Sequence, residues 1–534
     1  MQRRMLLGLP ASVDDVAEAA RTSLRLDGDP DALRGSLPVQ IVGDTTLSAN
    51  VADSPEGGSR VTLRVDTPMP VAYFRWLFGP LTRILIGRAL RHAGECLKAE
   101  LAGDPAPPPP RRSPITPPVV FSREQAVLLS AVAFAALLAS FGGGLFGQNA
   151  AFIQDAFDVS DSALTVSLAV TRVGVFVAIV AAAIADRRGR RRILLWSLAG
   201  IGVANAIGAA SPNLEIFTAS QVVARGLVNA ALAVAVIAVV EEAPEGARAF
   251  SVAMLSLAGG AGFAVAVLLL PLGDLGPEAW RVAFALSALT LLFIPGLSRV
   301  ITETRRYRNL DLPRSERGQA SEVTSGRFGR RIVILAAFTF LTSILAAPSS
   351  QLMNVYLEDD RGFSGSAITV FRAITQGLPA LVGVLIGARL AETRGRKPLL
   401  SVGLAAATLL TIAFYLSDGA ALWVTSAVGI VIVGTYGPAQ GAFSTELFPT
   451  EVRGTSSAML LVCGVSGSIV GLVAAGLLSD PLGGIGRAVA VLGVAPLVAA
   501  IVLVPFLPEA AHRGLDDLSP SRHPGNPPGN PPTS

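Results

Sequence analysis

The sequence has 534 residues, of which 51% are hydrophobic and only 15% are charged, and its formal net charge is +4. This composition is typical of a membrane protein and argues against a soluble globular enzyme or a nucleic-acid-binding protein. The two cysteines, Cys96 and Cys463, are far apart in the chain, so neither a disulfide framework nor a metal site is indicated, and we expect no cofactor.

The first 104 residues predict a small cytoplasmic α+β domain. In chain order we expect a strand, a helix, two strands and a long helix, over residues 5–9, 12–24, 45–51, 60–66 and 70–102. A proline-rich segment at residues 105–120 follows and favours an extended, semi-rigid linker. A domain boundary is therefore predicted there.

The long helix of this first domain is predicted to be amphipathic. Its apolar stripe comprises Phe74, Leu77, Leu81, Ile84, Leu85, Leu90 and Leu97. Strands wrapped on a long C-terminal helix resemble the START-like helix-grip fold, which includes the polyketide cyclases. Two other roles of this domain explain the sequence equally well, a ligand sensor and a regulatory module that lies on the membrane surface. The second is open because an apolar helix flanked by arginines can lie on an anionic leaflet.

Twelve apolar runs follow, each close to the roughly 20 residues that cross the hydrocarbon core. A long arginine-rich break at residues 299–330 divides them into two groups of six, at 121–298 and 331–508, and a Pro/Gly-rich tail covers 509–534. The predicted fold is an all-α membrane protein with twelve transmembrane helices in two six-helix bundles. We number these helices spans 1 to 12, and they centre near Phe134, Phe176, Gly202, Ala230, Gly260, Leu286, Phe338, Leu381, Ala406, Gly429, Gly467 and Pro496.

Lysine and arginine are unevenly distributed between alternate loops. The second break reads ADRRGRRR and the eighth reads ETRGRK, whereas the first and seventh breaks are rich in Asp and Glu. Because basic loops stay in the cytoplasm, both termini are predicted to be cytoplasmic and the protein is predicted to be a multi-pass protein of the cytoplasmic membrane.

The two groups of six spans repeat each other in sequence. The stretches EEAPEGARAFSVAML (residues 241–255) and ELFPTEVRGTSSAML (446–460) share seven of fifteen letters at an offset of 205. SALTVSLAVTR and SAITVFRAITQ match at an offset of 204, and ADRRGRRR and AETRGRKP at 206. A constant offset predicts two homologous halves, as in transporters built around a midplane site.

These motifs resemble the major facilitator superfamily over roughly residues 122–518. The family's loop motif between helices 2 and 3 stands here as AAIADRRGRR, with Ala182 in place of its first Gly, and again as ARLAETRGRK, with Glu392 in place of its Asp. Within the superfamily, GPAQGAFSTELFPTEVRG is similar to the sugar porters, although their Trp is Gly441 and the Gln pair of their helix 7 is missing.

The resemblance implies a cytoplasmic gate of ion pairs that form and part during transport. Asp186 could pair with Arg190 or meet a helix N-terminus, where negative charge is favoured. For Arg187 and Arg396, the positive-inside rule alone is an equal explanation. The candidate gating residues are Asp186, Arg187, Gly189, Arg190, Arg191, Glu241, Arg248, Glu392, Gly395, Arg396, Glu446 and Arg453.

Three arginines, Arg172, Arg225 and Arg372, lie inside predicted spans, where a charge is costly and functional by default. Arg172 and Arg372 are expected near the span ends, where they could snorkel to the interface. Polar residues on spans 1, 4, 7 and 10 line the cavity in this family, although hydrogen bonding between helices explains them equally well. The substrate-binding candidates are Gln148, Asn149, Arg225, Asn229, Gln351, Asn354 and Gln440.

We therefore expect a secondary transporter that moves a small polar organic solute, sugar-like or another metabolite, neutral or anionic, by alternating access. The alternatives are a multidrug or metabolite efflux carrier and a membrane solute sensor that signals through the first domain. Uniport and proton symport through Asp155 or Glu215 are both open. The expected partners are the lipid bilayer, a small-molecule substrate and, for symport, protons, with a monomeric protein and no nucleic acid.

Overall fold

The structure is a computed structural model. It describes residues 2–36, 46–66, 72–108, 121–303, 329–446 and 453–506, apart from short gaps at residue 56 and within 179–188, 245–246 and 381–395. Most of the linker, the central loop and the tail lie outside these ranges.

The first domain is a four-stranded antiparallel sheet covered by two helices. Its strands are β1 (Gln2–Leu9), β2 (Leu33–Ser36), β3 (Thr46–Asp53) and β4 (Ser59–Asp66), in the spatial order β1-β4-β3-β2. Alternate residues of β3 and β4 point to one face and bury Leu47, Val51, Val61, Leu63 and Val65. Against that face pack helices α1 (Val13–Leu24) and α2 (Arg75–Ala102).

Two expectations for this domain need correction. The strand Leu33–Ser36 was not predicted, because four residues with an arginine and a glycine carry little strand signal. The predicted apolar stripe of α2 is wrong at Ile84, which is 54% exposed. The side chains of Leu77 and Leu81 lie outside the described part of the chain. From Ile86 onward α2 packs on the sheet, and the buried residues follow the helical repeat as Ile86, Ala89, Leu90, Ala93 and Leu97.

Eleven helices of the described chain are long and apolar enough to cross a membrane, and they coincide with spans 1–7 and 9–12. The eighth span begins with the helix Gly365–Arg372 and then enters the partly described range. The eleven are Arg123–Gln148, Asp161–Ala178, Arg190–Ala209, Leu214–Glu242, Ser251–Leu275, Trp280–Val300, Arg330–Gln351, Lys397–Leu416, Gly419–Tyr436, Met459–Leu482 and Ile485–Phe506.

The repeat seen in the sequence reappears in the packing. A Cβ atom on Gly262 of span 5 would overlap the carbonyl oxygen of Leu137 in span 1, and one on Gly467 of span 11 would overlap that of Phe340 in span 7. Spans 2 and 8 begin alike, because the Oγ atoms of Ser160 and Ser364 accept hydrogen bonds from the backbone N–H three residues on. The prediction of two homologous helical halves is confirmed.

Candidate functional site

The two halves are joined at one end of the helical bundle. We call this end, which carries residues 155–161, 270–278 and 356–364, the acidic end, and the opposite one the basic end. A single buried cluster at the acidic end contains Phe217 and Trp280 of the first half together with Tyr356 and Phe371 of the second. Among the described residues, the basic end instead has a separate cluster in each half.

A polar network crosses between the halves at the acidic end. Asn354 Nδ2 of the second half donates to the backbone oxygen of Gln148 in the first at 2.7 Å and to its Oε1 at 3.2 Å. The guanidinium of Arg372 donates to Gln148 Oε1 and, at 2.8 Å, to Asn354 Oδ1. The expectation that Arg372 snorkels to the interface is wrong, because its side chain is only 7% exposed and is held by these amides.

A second contact between the halves lies at the start of span 8. Both oxygens of Asp274, in the last turn of span 5, accept hydrogen bonds from the backbone N–H groups of Gly365 at 2.7 Å and Ser366 at 2.9 Å. The unsatisfied N–H groups of a helix N-terminus favour such a negative partner. Thr369 Oγ1 adds a bond to the Val267 carbonyl at 3.0 Å. We call these contacts and those of Arg372 the acidic-end closure.

Next to the acidic-end closure lies a cavity of about 320 Å³ between the halves. This volume suits a small organic solute. Spans 1, 2, 4 and 5 of the first half and spans 7 and 11 of the second contribute to its walls. Its polar lining residues are Gln148, Thr171, Arg172, Gln221, Arg225, Ser350, Gln351 and Ser468.

The charge of the cavity comes from two arginines. Arg225 of span 4 makes a long hydrogen bond of 3.5 Å to the Gly143 carbonyl, and it lies close enough to Arg172 of span 2 for the two charges to repel each other. Within the described chain, Arg172 Nε is buried without a hydrogen-bond partner. No carboxylate is among the described residues that line the cavity. The site is therefore positive.

The predicted binding residues divide into three groups. Gln148, Gln351 and Arg225 line the cavity. Asn149 and Asn354 are buried at the acidic end, where Asn149 Nδ2 donates to the Leu145 carbonyl at 3.0 Å. Asn229 is half-buried one turn beyond Arg225, and the side chain of Gln440 lies outside the described part.

Some of the predicted gating residues meet at the basic end. Arg190 Nη2 pairs with Glu241 Oε1 at 3.0 Å, which joins the start of span 3 to the end of span 4. Glu303, just after span 6, accepts from the backbone N–H groups of Arg190 at 2.8 Å and Arg191 at 3.4 Å. Gly189 has φ +99°, and a Cβ there would overlap the Glu303 carboxylate, so both backbone and space require glycine.

The other gating candidates lie outside what the structure describes. Asp186, Arg187, Glu392 and Gly395 fall in its gaps. For the remaining four the backbone is helical but the side chain is not described, and these are Arg248, Arg396, Glu446 and Arg453.

Sequence reasoning misplaced one residue of the cavity and did not identify one residue of the contacts at the basic end. Arg172 was expected near the interface, but it lines the cavity because span 2 starts at Asp161 and turns this residue inward. Glu303 was not among the gating candidates, and it meets the N-terminus of the helix that begins at Arg190. The position of Arg172 on the inward face of span 2 could have been found by counting helical turns from the start of that span. For Glu303, no local sequence pattern shows that the end of span 6 lies against the start of span 3.

Two carboxyl groups at the acidic end have perturbed titration. Burial, and then the charges of Asp359, Asp155 and Asp274, raises the pKa of Glu358 to about 8. Burial, and then neighbouring aspartates that include Asp155 and Asp161, raises the pKa of Asp359 to about 6. Both groups follow span 7 and lie outside the membrane-spanning helices. They therefore change charge near neutral pH.

Known proteins resemble this chain in sequence and in fold. A sequence model described as the Major Facilitator Superfamily matches residues 132–471. The "Probable 4-methylmuconolactone transporter" of Cupriavidus pinatubonensis (strain JMP 134 / LMG 1197) is 26% identical over 344 residues, which cover 60% of this chain and 74% of that protein.

Solved structures resemble the fold at low sequence identity. The inward open conformation of the xylose transporter XylE from E. coli aligns with a TM-score of 0.61 at 16% identity, over 74% of this chain and 99% of that one. A bacterial homologue of the human lysosomal transporter Spinster, inward-facing and unoccupied, aligns with a TM-score of 0.59 at 16% identity, over 72% and 96%.

Proposed function

The chain belongs to the major facilitator superfamily, and from that premise we propose that it transports a small organic anion by alternating access through the cavity of Arg172 and Arg225. That it is a multi-pass membrane transporter of small organic solutes, and not an enzyme, follows from its family and relatives. The observation that supports an anionic solute is the charge of the cavity, which has two guanidinium groups and no carboxylate among its described lining residues.

An anionic solute would balance the charge of this site. A charged side chain inside a membrane costs at least about 2.5 to 3.5 kcal/mol unless it is paired or hydrated. Among the described residues, Arg225 has one long hydrogen bond, to a carbonyl, and Arg172 Nε has no hydrogen-bond partner. A carboxylate has two oxygens with about four acceptor sites, so a single carboxylate can accept hydrogen bonds from both guanidinium groups.

The curated relative supports the choice of anion over sugar. Its name gives a methylmuconolactone as the solute. A muconolactone keeps one of the two carboxyl groups of muconic acid, so it is an anion at neutral pH. The amide and hydroxyl groups of Gln351, Gln221 and Ser350 could hold the uncharged oxygens of such a molecule.

The arrangement of the two halves suits alternating access. The acidic-end closure joins the two halves beside the cavity, whereas the buried clusters of the two halves are separate at the basic end of the described chain. A rocking motion that parts Arg372 from Gln148 and Asp274 from span 8 would open the acidic end.

Binding to the purified protein tests this proposal. In a thermal-shift screen, small carboxylates that include 4-methylmuconolactone should stabilise the protein, and xylose should not. Arg172→Gln and Arg225→Gln should each weaken carboxylate binding roughly 10- to 100-fold, because a hydrogen bond to a charged group is worth about 1.5 to 3 kcal/mol. The matched control is Arg487→Gln, at an exposed position after span 11. Equal stabilisation of all four proteins by a carboxylate would contradict the site.

A further inference from the structure

The two ends of the side-chain amide of Gln148 have different surroundings. Its oxygen, Oε1, accepts hydrogen bonds from the guanidinium of Arg372 and, at 3.2 Å, from Asn354 Nδ2, both in the second half. Its nitrogen, Nε2, has no hydrogen-bond partner among the described residues and is not sealed in the protein interior. Gln148 lines the cavity at the end of span 1. The N–H end of the amide is therefore the one that is free to meet a solute.

The chemistry of the partners fixes which end of the amide is which. A guanidinium has only donors, so the atom of Gln148 that Arg372 contacts must be the amide oxygen. The same argument orients Asn354, whose Oδ1 accepts from Arg372 at 2.8 Å and whose Nδ2 donates to the backbone oxygen of Gln148 at 2.7 Å. Arg372 Nε in turn donates to Gln376 Oε1 at 3.1 Å, which holds the guanidinium in place. Exchanging the two ends of the Gln148 amide would place N–H groups against N–H groups.

We propose that Gln148 is a specificity-determining residue whose N–H group binds a carboxylate oxygen of the solute, and that Arg372 is the positioning residue that directs this group into the cavity. The inference rests on the proposed anion site. Arg172 and Arg225 line the same cavity, and they too present only N–H donors to it. A carboxylate only accepts hydrogen bonds, so it suits all three groups. A hydroxyl would leave its own hydrogen without an acceptor at these groups.

This arrangement links solute binding to the closed state of the acidic end. The amide of Gln148 belongs to the first half, but the side chains that orient it belong to the second. When the halves part at this end, the amide loses Arg372 and Asn354 and is free to rotate. A solute that binds the oriented amide therefore stabilises the closed end, and closure raises the affinity for the solute by the same factor.

A double-mutant cycle in the full chain tests whether Arg372 acts through Gln148. Gln148→Met keeps the length of the side chain and removes the amide, so it should weaken the binding of 4-methylmuconolactone roughly 10- to 100-fold. Arg372→Lys keeps the charge but not the planar fork of donors, and it should weaken binding roughly tenfold. The double variant should bind no more weakly than Gln148→Met alone, because the group that Arg372 positions is already absent. Titration calorimetry of the purified proteins measures the four affinities.

The outcomes separate this inference from the anion site itself. Unchanged affinity in Gln148→Met, or losses that multiply in the double variant, would overturn it even where the wild type binds the carboxylate and Arg225→Gln weakens that binding. No binding by the wild type, or none of the expected loss in Arg225→Gln, would contradict the anion site, and this inference would fall with it. If Gln148→Met does not fold, Gln148→Glu replaces it as the single variant, because its oxygens still accept from Arg372 while the N–H group is absent.

The distance between the halves gives a readout that a purely structural role of Gln148 would not move. Spin labels at Leu275→Cys and Ala420→Cys, exposed at the acidic end, report it in a background with both native cysteines replaced by serine. Saturating 4-methylmuconolactone should shift the distances toward the short, closed value in the parent. It should cause no shift in Gln148→Met, which still binds the solute through its arginines. A shift of equal size in both proteins would contradict the coupling.

Discussion

Single glycines fix how closely the spans approach each other. Several glycines let a helix backbone touch a carbonyl of the neighbouring helix, and an equivalent pair is Gly262 against Leu137 in the first half and Gly467 against Phe340 in the second. Close backbone approach is how helices associate in lipid, where no hydrophobic effect drives them together. By contrast Gly260, two residues from Gly262 in the same span, faces open space.

Alanine at these two neighbouring positions should therefore have opposite effects. Gly262→Ala should lower the thermal unfolding midpoint, because overpacking typically costs about 1 to 3 kcal/mol. Gly260→Ala should leave it unchanged or raise it slightly, since alanine favours a helix by up to about 1 kcal/mol. Tryptophan fluorescence of the purified proteins during heating measures both. Equal midpoints for the two variants would show that the close contact is absent.

The residues of the site were only partly predictable from sequence. Arg225 and Gln351 were found because a charge or an amide inside an apolar run is conspicuous. Arg172 was misplaced because its inward direction depends on where span 2 starts and how it packs. Arg372 binds Gln148, which is more than 200 residues away, and Asn354, which lies on a different span. The periodicity within one helix cannot predict such contacts.

At the scale of elements, contacts at the start of span 8 join the two halves at the acidic end. Asp274 holds the start of span 8, and Glu358 and Asp359 lie in the loop before it. Because burial and like charges raise the pKa values of both groups, this arrangement favours their protonated forms. The closed acidic end therefore stabilises the uncharged carboxyl groups of Glu358 and Asp359. As the pH rises from their ordinary pKa values through about 8, both groups lose their protons and the closed arrangement becomes less stable.

The acidic end should accordingly be closed at pH 5.5 and looser at pH 9 (roughly one unit above the raised pKa of Glu358). Spin labels at Leu275→Cys and Ala420→Cys, exposed positions at the acidic end of the two halves, should show a longer mean distance at the higher pH. The background carries Cys96→Ser and Cys463→Ser.

Replacing the main titrating group is the control for this effect. Glu358→Gln stays uncharged at every pH and should keep the short distance at pH 9, apart from the smaller contribution of Asp359. A distance that lengthens as much in Glu358→Gln as in the parent would assign the pH response to other groups.

The elements themselves were largely predictable. Eleven spans lie where long apolar runs predicted them, since hydrocarbon requires helices of a fixed minimum length. The short strand Leu33–Ser36 was missed because its pairing with β3, and not its own composition, makes it a strand. The buried face of α2 depended on how far the sheet extends along the helix, which the helical pattern does not contain.

At the scale of the whole molecule, two six-helix halves share one buried cluster at the acidic end and enclose a positive cavity beside it. The ring of Tyr73 in the first domain stacks on Phe134 of span 1. If transport occurs by rocking of the two halves, we expect the first domain to move with the first half. In each half the repeated sequence covers the end of one helix and the start of the next, at Glu242 and Arg248 in the first half and at Glu446 and Arg453 in the second. A gate formed by these stretches remains our prediction.

Solute uptake into proteoliposomes tests the central claim most directly. Labelled small carboxylates, including 4-methylmuconolactone, and neutral xylose would be offered to wild-type protein, Arg225→Gln and Arg487→Gln. We predict saturable uptake of at least one carboxylate by the wild type and Arg487→Gln, and an initial rate at subsaturating solute lower by about tenfold or more in Arg225→Gln. Uptake of xylose but of no carboxylate, or carboxylate uptake that Arg225→Gln leaves unchanged, would contradict the account.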